Sequence, residues 1–154
     1  MNITGEITVD APREKVFDAL KNAPFFASCI EGVHDLKEIT PTRYTALFET
    51  RIAYIRFKFE VTVDMTRAER PDTIEAKIEG KPHGIVGRLS ATSVASFAET
   101  GGETIIKYAV DASLTGRLGS VGQPVLNSKA KEMERQFVEK LRAAFPSGVA
   151  EAAS

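Results

Sequence analysis

The sequence predicts an α+β domain in which a curved antiparallel sheet of about seven strands surrounds one long C-terminal helix. Between residues 33 and 116, apolar and polar residues alternate in segments separated by turn residues, which is typical of an antiparallel sheet with one solvated face. Residues 120–145 instead repeat apolar side chains every three or four positions, as an amphipathic helix does. A sheet and a helix with one apolar face each bury both by packing together.

The N-terminal elements follow from shorter patterns. Residues 3–9 alternate as a half-buried first strand, in which Gly5 is a candidate for a β-bulge. Pro12 lies where a first short helix would start, and Pro24 separates it from a second short helix that Gly32 ends. Two small helices are therefore expected directly after the first strand.

The strands of the central region are separated by turns. The clearest strand covers residues 55–65, where apolar and polar side chains alternate without interruption. Turn sequences recur at residues 40–41, 70–72, 81–84 and 101–102, so the strands between them form an antiparallel meander. The final helix ends at Pro146, which predicts a single domain over residues 1–146 and a flexible tail over residues 147–154.

Composition excludes several classes of function. With 154 residues the chain has about one domain's length, and its 20 Lys and Arg against 21 Asp and Glu produce no general attraction for nucleic acid. The single Cys29 cannot form an internal disulfide, and the first residues do not form a signal segment, so we expect a cytoplasmic protein. No apolar run is long enough to span a bilayer.

Residues suited to catalysis or metal binding are scarce. His34 and His83 fall in predicted turns and are expected to be solvated, while Cys29 follows an apolar pair and is expected to be a buried, unreactive thiol. Their spacing supports no metal site. The glycine-rich segment 116–122 lacks the Gly-Lys-Ser/Thr ending of a phosphate-binding loop and follows an antiparallel strand, which argues against a nucleotide site.

Four segments of the chain carry a resemblance to a known family. They are Gly5-Glu6-Ile7 with Ala11-Pro12-Arg13-Glu14-Lys15-Val16-Phe17; Cys29-Ile30-Glu31-Gly32-Val33; Gly102-Glu103-Thr104; and Leu114-Thr115-Gly116-Arg117-Leu118-Gly119-Ser120-Val121-Gly122. Together they resemble the CoxG family of carbon monoxide dehydrogenase subunits, within the START-like (SRPBCC) superfamily. This resemblance implies the helix-grip fold, in which the sheet bends away from the long helix and leaves a tunnel.

The resemblance also implies a role. A CoxG-like chain would be a non-enzymatic accessory protein that partners a molybdenum-containing carbon monoxide dehydrogenase or a related hydroxylase. It would carry a hydrophobic, lipid-like or quinone-like molecule and link the enzyme to the inner face of the membrane through a peripheral contact. Neither a metal nor a covalently attached cofactor is expected.

Inward-facing residues of such a fold are the candidate lining of a ligand cavity. Small side chains would leave room for it, namely Ala46, Ala76, Ala91, Ala95, Ala109 and Ala112. The few polar groups expected inside are Tyr44, Ser93 and Tyr108, so an apolar guest is favoured. The predicted lining consists of Tyr44, Ala46, Phe48, Phe57, Phe59, Ile78, Leu89, Ala91, Phe97, Tyr108, Val110, Leu118, Val121, Val125, Met133 and Phe137.

Three alternatives remain open at this point. Gly116, Gly119 and Gly122 could form a hinge between the last strand and the helix or a mobile lid over the cavity. A START-like enzyme of the cyclase or dehydratase kind would need an ionisable side chain inside the cavity. The strand alternation instead points four charged residues outward, which disfavours this alternative, namely Glu60, Asp64, Glu75 and Lys107. Glu134 lies on the polar face of the predicted last helix. A solid interior would favour a protein-binding assembly factor.

Overall fold

The described residues form a seven-stranded antiparallel sheet and three α-helices. The computed structural model describes residues 1–52, 54–121 and 123–146. The elements are β1 (Asn2–Val9), α1 (Arg13–Lys21), α2 (Ala23–Ser28), β2 (Val33–Thr40), β3 (Arg43–Ile52), β4 (Ile55–Glu69), β5 (Thr73–Pro82), β6 (Gly87–Thr100), β7 (Glu103–Gly116), a 3₁₀ helix (Arg117–Val121) and α3 (Gln123–Ala144). The predicted order of elements is confirmed, although residues 120–121 belong to the 3₁₀ helix rather than to α3.

The strands are arranged in the order β1-β7-β6-β5-β4-β3-β2, so that β2 to β7 form a meander and β1 closes against β7. The pairing of β1 with β7 is regular: Gly5 lies opposite Tyr108, and Ile7 lies opposite Ile106. The bulge expected at Gly5 is therefore wrong. Glycine is needed at this position because the side chain of Tyr108 lies against it, as described below, and not because the strand contains an extra residue.

The alternation read from the sequence correctly assigns the two faces of the sheet. The side of the sheet that faces α3 carries the buried apolar residues, among them Phe57, Phe59, Phe97 and Ile106. Ala109 is an exception to the prediction, because it lies between two inward-facing neighbours and is exposed on the outer face.

Two packed cores hold α3 against the sheet, one near each end of the helix. Near its C-terminal end, Leu141 packs with buried residues that include Phe17 and Phe97, whose rings meet edge to face with centroids 5.3 Å apart. Near its N-terminal end, Leu126 packs with Ile52, Phe57 and Phe59. Since apolar burial drives both contacts, the helix is anchored at two points, with its middle turns between them.

The glycines before α3 permit close approaches of the backbone. Gly116 has φ +67°, and a side chain there would lie 2.7 Å from the carbonyl oxygen of Val86. A side chain at Gly119 would lie 2.7 Å from the carbonyl oxygen of Leu114. The close approach of the backbone thus explains why glycine occupies both positions. Whether the segment acts as a hinge or as a lid stays a prediction. Gly122 lies outside the described residues.

Candidate functional site

A half-open pocket of about 280 Å³, called the cavity below, lies between the two packed cores and is bounded by the sheet, the two short helices and α3. Its apolar lining comes from β1, β6, β7, the two short helices and α3, and includes Ile3, Ile7, Ala95, Ile106, Val110, Leu20, Phe26, Ala130, Met133 and Phe137. The sheet and α3 are therefore not packed against each other along the whole length of the helix.

The sequence of α3 explains why the cavity lies where it does. The inward stripe of the helix is formed by Leu126, Ala130, Met133, Phe137 and Leu141, which recur at spacings of three and four residues. The large side chains at the two ends of this stripe belong to the packed cores. Ala130 occupies an inward position between them and is too small to reach the sheet, so space remains over the middle of β7.

Tyr108 and Glu134 form a polar pair inside this apolar cavity. Both side chains line it, and the Tyr108 hydroxyl donates a hydrogen bond to Oε2 of Glu134. The ring of Tyr108 lies across Gly5 on the neighbouring strand: a Cβ built on Gly5 would lie 2.9 Å from Cε1 of Tyr108 and closer still to its Cζ and hydroxyl oxygen. Gly5 is thus required for the position of the tyrosine.

The cavity environment changes the acidity of Tyr108. Burial raises the pKa of its phenol above the ordinary value, and the hydrogen bond to Glu134 together with the negative charge of that carboxylate raises it further. Tyr108 is accordingly a neutral hydrogen-bond donor near neutral pH. The other groups with which a ligand could form hydrogen bonds in the cavity are the second carboxylate oxygen of Glu134, the Glu31 carboxylate, the Ser93 hydroxyl and the Gln136 amide.

A second, charged cleft of about 360 Å³ adjoins the apolar cavity on the side of β3. Glu31, Met133 and Gln136 line both spaces, so they mark the boundary between them. The cleft is otherwise lined mainly by charged side chains, namely Glu49, Arg51, Arg56, Lys129 and Glu132. The structure thus places an apolar compartment next to a polar one, an arrangement that suits a molecule with an apolar body and a polar end.

The structure places only part of the predicted lining at the cavity. Tyr108, Val110, Met133 and Phe137 line it, and so does the small residue Ala95. Six predicted residues belong to the packed cores instead: Phe97 to the one near the C-terminal end of α3, and Phe48, Phe57, Phe59, Leu89 and Val125 to the other. The physical reason is that the first turn of α3 packs directly against the sheet, where the prediction expected the tunnel to continue.

The remaining predicted residues lie elsewhere on the inward face or beyond what is described. Four of them are half-buried on that face and line neither space, namely Tyr44, Ala46, Ile78 and Ala91. Burial raises the pKa of the Tyr44 phenol. The side chains of Leu118 and Val121 lie outside the described part of the chain, so their predicted role stays a prediction.

The inward position of Glu134 corrects the sequence prediction, which placed it on the polar face of α3. Glu134 follows Ala130 by four residues and precedes Phe137 by three, so it belongs to the same stripe as the inward-facing residues. The helical spacing therefore indicates the inward position of Glu134. The prediction is wrong because it assigned the residue to the polar face by its charge. Ile3, Ile7 and Ile106, also absent from the prediction, line the cavity because β1 and β7 are neighbours.

The histidines and the cysteine lie apart from this cavity. His34 belongs to β2 rather than to a turn, which corrects the prediction, and its ring is 3.5 Å from a carboxylate oxygen of Glu49. His83 follows β5 and is 3.5 Å from Glu60. Cys29 is buried as predicted, and burial raises its thiol pKa. Among the described residues no group of His, Cys, Asp and Glu could hold a metal ion, and no helix there could cross a membrane.

Solved structures identify the class of fold to which this chain belongs. A conserved protein from Geobacillus kaustophilus superposes with a TM-score of 0.85 at 23% identity, covering 94% of this chain and 95% of the other. A START superfamily protein from Mycobacterium smegmatis superposes with a TM-score of 0.71 at 10% identity, covering 94% and 96%. The di-domain ARO/CYC protein BexL from the BE-7585A biosynthetic pathway superposes with a TM-score of 0.61 at 18% identity, covering 96% of this chain and 50% of that one. The chain has the START-like helix-grip fold.

The sequence narrows this class to one family. Residues 5–145 match the CoxG family of carbon monoxide dehydrogenase subunits, and the chain belongs to that family. No curated protein matches the sequence. The predicted resemblance is thereby confirmed over almost the whole of the described chain.

Proposed function

We propose that this chain is a non-enzymatic accessory protein that carries a hydrophobic, lipid-like or quinone-like molecule in the cavity between its sheet and α3. It serves a molybdenum-containing carbon monoxide dehydrogenase-like enzyme and links that enzyme to the membrane. The observation that carries the proposal is the apolar cavity of about 280 Å³ between two packed cores. Membership of the CoxG family supports the choice of partner.

The size of the cavity favours a guest with a ring system. An engineered apolar cavity of about 150 Å³ in another protein stays dry and binds benzene. The present cavity of about 280 Å³ is nearly twice as large, which suits two fused rings or the middle of an acyl chain. A group that buries about 200 Å² of apolar surface gains about 5 kcal/mol from removal of that surface from water.

The polar groups of the cavity would orient such a guest. A quinone carbonyl accepts hydrogen bonds, and the Gln136 amide and the Ser93 hydroxyl are donors on the cavity wall. A hydroxyl on the guest would instead donate to the free carboxylate oxygen of Glu134. The adjoining charged cleft accommodates a polar end that the apolar compartment would exclude.

Native mass spectrometry and solvent extraction of the purified protein test the carrier proposal. We expect a co-purifying or added quinone or lipid to bind at one molecule per chain. Ala130→Leu adds three carbon atoms at an inward position that lines the cavity and should reduce the bound amount strongly. Ala143→Leu makes the same change at an exposed position of α3 and should leave binding unchanged. A protein without affinity for any quinone or lipid, or equal effects of the two substitutions, would contradict the proposal.

A START-like enzyme of the cyclase or dehydratase kind is the second candidate, and the position of Glu134 favours it. A carboxylate hydrogen-bonded to a tyrosine inside an apolar cavity is the inward ionisable group that such an enzyme needs. The raised pKa of Tyr108 weighs against it, because a general acid works best with a pKa near the working pH. Mass analysis of the guest separates the two: a carrier returns it unchanged, whereas an enzyme of this kind releases a product altered by cyclisation or loss of water.

A further inference from the structure

We propose that one end of the sheet is a docking surface for an anionic lipid bilayer. Three segments meet there: the β3–β4 hairpin (residues 51, 52 and 54–58), the β5–β6 loop with the adjoining strand ends (residues 81–88), and the end of β7 with the segment after it (residues 115–121). We refer to these three segments as the basic end. The proposal deepens the membrane link of the proposed function, on which it rests, by assigning that contact to a particular surface.

Backbone hydrogen bonds join the three segments into one surface. The amide of His83 donates to the carbonyl oxygen of Lys58 at 2.8 Å, which ties the β5–β6 loop to β4. The amide of Arg117 donates to the carbonyl oxygen of Val86 at 2.9 Å, which ties the segment after β7 to the same loop. Residues that are far apart in the sequence therefore act together at the basic end.

Positive charge is concentrated on this surface. The three segments contain six cationic residues and no Asp or Glu, in a chain whose net charge is −1. The six are Arg51, Arg56, Lys58, Lys81, Arg88 and Arg117. Two of them, Lys58 and Arg88, lie within 4.0 Å of a carboxylate from a neighbouring strand. No carboxylate in the described part of the chain comes that close to the other four.

Arg51 and Arg56 place two positive charges side by side at the basic end. These two residues lie directly opposite each other across the β3–β4 hairpin, and both are exposed. Like charges at directly opposed positions of an antiparallel pair destabilise the pair. An anionic surface in contact with both guanidinium groups would remove this repulsion, and phosphate groups suit the planar guanidinium in particular.

Exposed apolar side chains protrude from the same surface. Tyr54 is 99% exposed, Val86 is 76% exposed and Ile55 is 53% exposed, which makes three of the five large apolar side chains that the described residues expose. Single exposed apolar residues are common on proteins, but Tyr54 and Val86 lie in turns, Ile55 begins β4, and all three are flanked by cations. Aromatic and aliphatic side chains surrounded by Lys and Arg are typical of surfaces that enter the headgroup region of an anionic membrane.

A bilayer suits these features better than a protein partner does. Tyr54 and Val86 lie in turns and Ile55 lies at the start of β4, and a fluid headgroup layer receives such protruding side chains without a matching concave surface. The location also agrees with the interior of the protein, because Arg51 and Arg56 line the charged cleft that adjoins the apolar cavity. A docked protein would therefore hold this cleft close to the lipid.

Vesicle flotation tests the docking surface, with phosphatidylcholine vesicles compared with vesicles that also contain phosphatidylglycerol. We expect the protein to bind only the anionic vesicles, and less at high salt. Arg51→Gln with Arg56→Gln should weaken binding by about 25-fold, since each cation near such a surface contributes about fivefold. Lys131→Gln with Arg135→Gln removes the same charge from exposed positions of α3 and should have little effect.

A single tryptophan supplies an independent readout, because the chain contains no Trp. Tyr54→Trp should show a blue shift of its fluorescence on anionic vesicles and quenching by brominated lipid. Absence of vesicle binding, or an unshifted Trp emission, would overturn the docking surface. The basic end would then be a binding site for an acidic protein partner instead. Equal losses in the two double variants would overturn it as well.

The same preparations separate this inference from the carrier proposal. Tyr54 lines neither the cavity nor the charged cleft. Tyr54→Ser should therefore lower vesicle binding while the extracted ligand content stays the same. Ligand without vesicle binding contradicts the docking surface alone, and vesicle binding without ligand contradicts the carrier alone.

Discussion

Replacement of Gly5 by alanine should displace Tyr108 and disturb the cavity, because the tyrosine ring occupies the space that a Cβ would need. A Cβ on Gly5 would lie 2.9 Å from Cε1 of Tyr108, whereas carbon atoms in contact are normally about 3.5–4.0 Å apart. The ring would have to move by at least about 0.6 Å at this atom and further at the hydroxyl. Such a shift would break the hydrogen bond to Glu134.

The expected loss of stability follows from two costs and one smaller gain. Overpacking costs about 1–3 kcal/mol. Loss of a hydrogen bond to a charged group costs about 1.5 kcal/mol at the lower end, which suits a half-buried carboxylate. Alanine in a strand gains about 0.5–1 kcal/mol over glycine. The free energy of unfolding should therefore fall by about 3 kcal/mol, which lowers the midpoint of thermal unfolding by about 6–12 °C.

A double-mutant cycle measured by urea unfolding checks this reasoning. In a Tyr108→Val background the ring is absent, so Gly5→Ala should be neutral or stabilise the protein by up to about 1 kcal/mol. The coupling energy between the two positions should be about 3–4 kcal/mol, well above the roughly 0.5 kcal/mol seen for independent sites. If Gly5→Ala costs the same in both backgrounds, the steric explanation is refuted.

Two further substitutions test the cavity pair and the buried core. Glu134→Gln should lower the pKa of Tyr108 part of the way towards its ordinary value of about 10, with the burial effect remaining, as read from the tyrosine absorbance during an alkaline titration. Because the folded-state pKa is the higher one, Tyr108 stabilises the fold fully below about pH 10 and less as pH rises further, and the variant should lose less stability there. Thr104→Val should cost about 1–3 kcal/mol, because the buried Thr104 hydroxyl donates to the Ala11 carbonyl at 2.7 Å, whereas Thr104→Ser should retain most of the stability in urea unfolding.

The strands were predictable because their side chains alternate between two environments. Residues such as Phe57 and Phe59 were correctly assigned to the inward face from the period of two alone. The same rule could not show whether an inward residue lines a cavity or fills a core. That distinction depends on how closely α3 approaches each part of the sheet, which the pattern of one strand does not contain.

Glu134 and Gly5 show two different limits of the sequence reasoning. The inward position of Glu134 was available from its spacing to Ala130 and Phe137, and its charge led to the wrong face. The sequence alone could not show why residue 5 is a glycine. β1 and β7 are about a hundred residues apart, and only their pairing brings Gly5 opposite Tyr108.

By itself, the sequence determined the element order, the inward face of each strand and the family, since these depend on local periodicity and on motifs that are continuous in the chain. Tertiary structure decided the rest. It placed the cavity between two cores, because large side chains anchor α3 at both ends while Ala130 leaves space in the middle. It also assembled the basic end from three segments that are distant in the sequence. Their charged and exposed side chains form one surface only because the turns of neighbouring strands meet at the same end of the sheet.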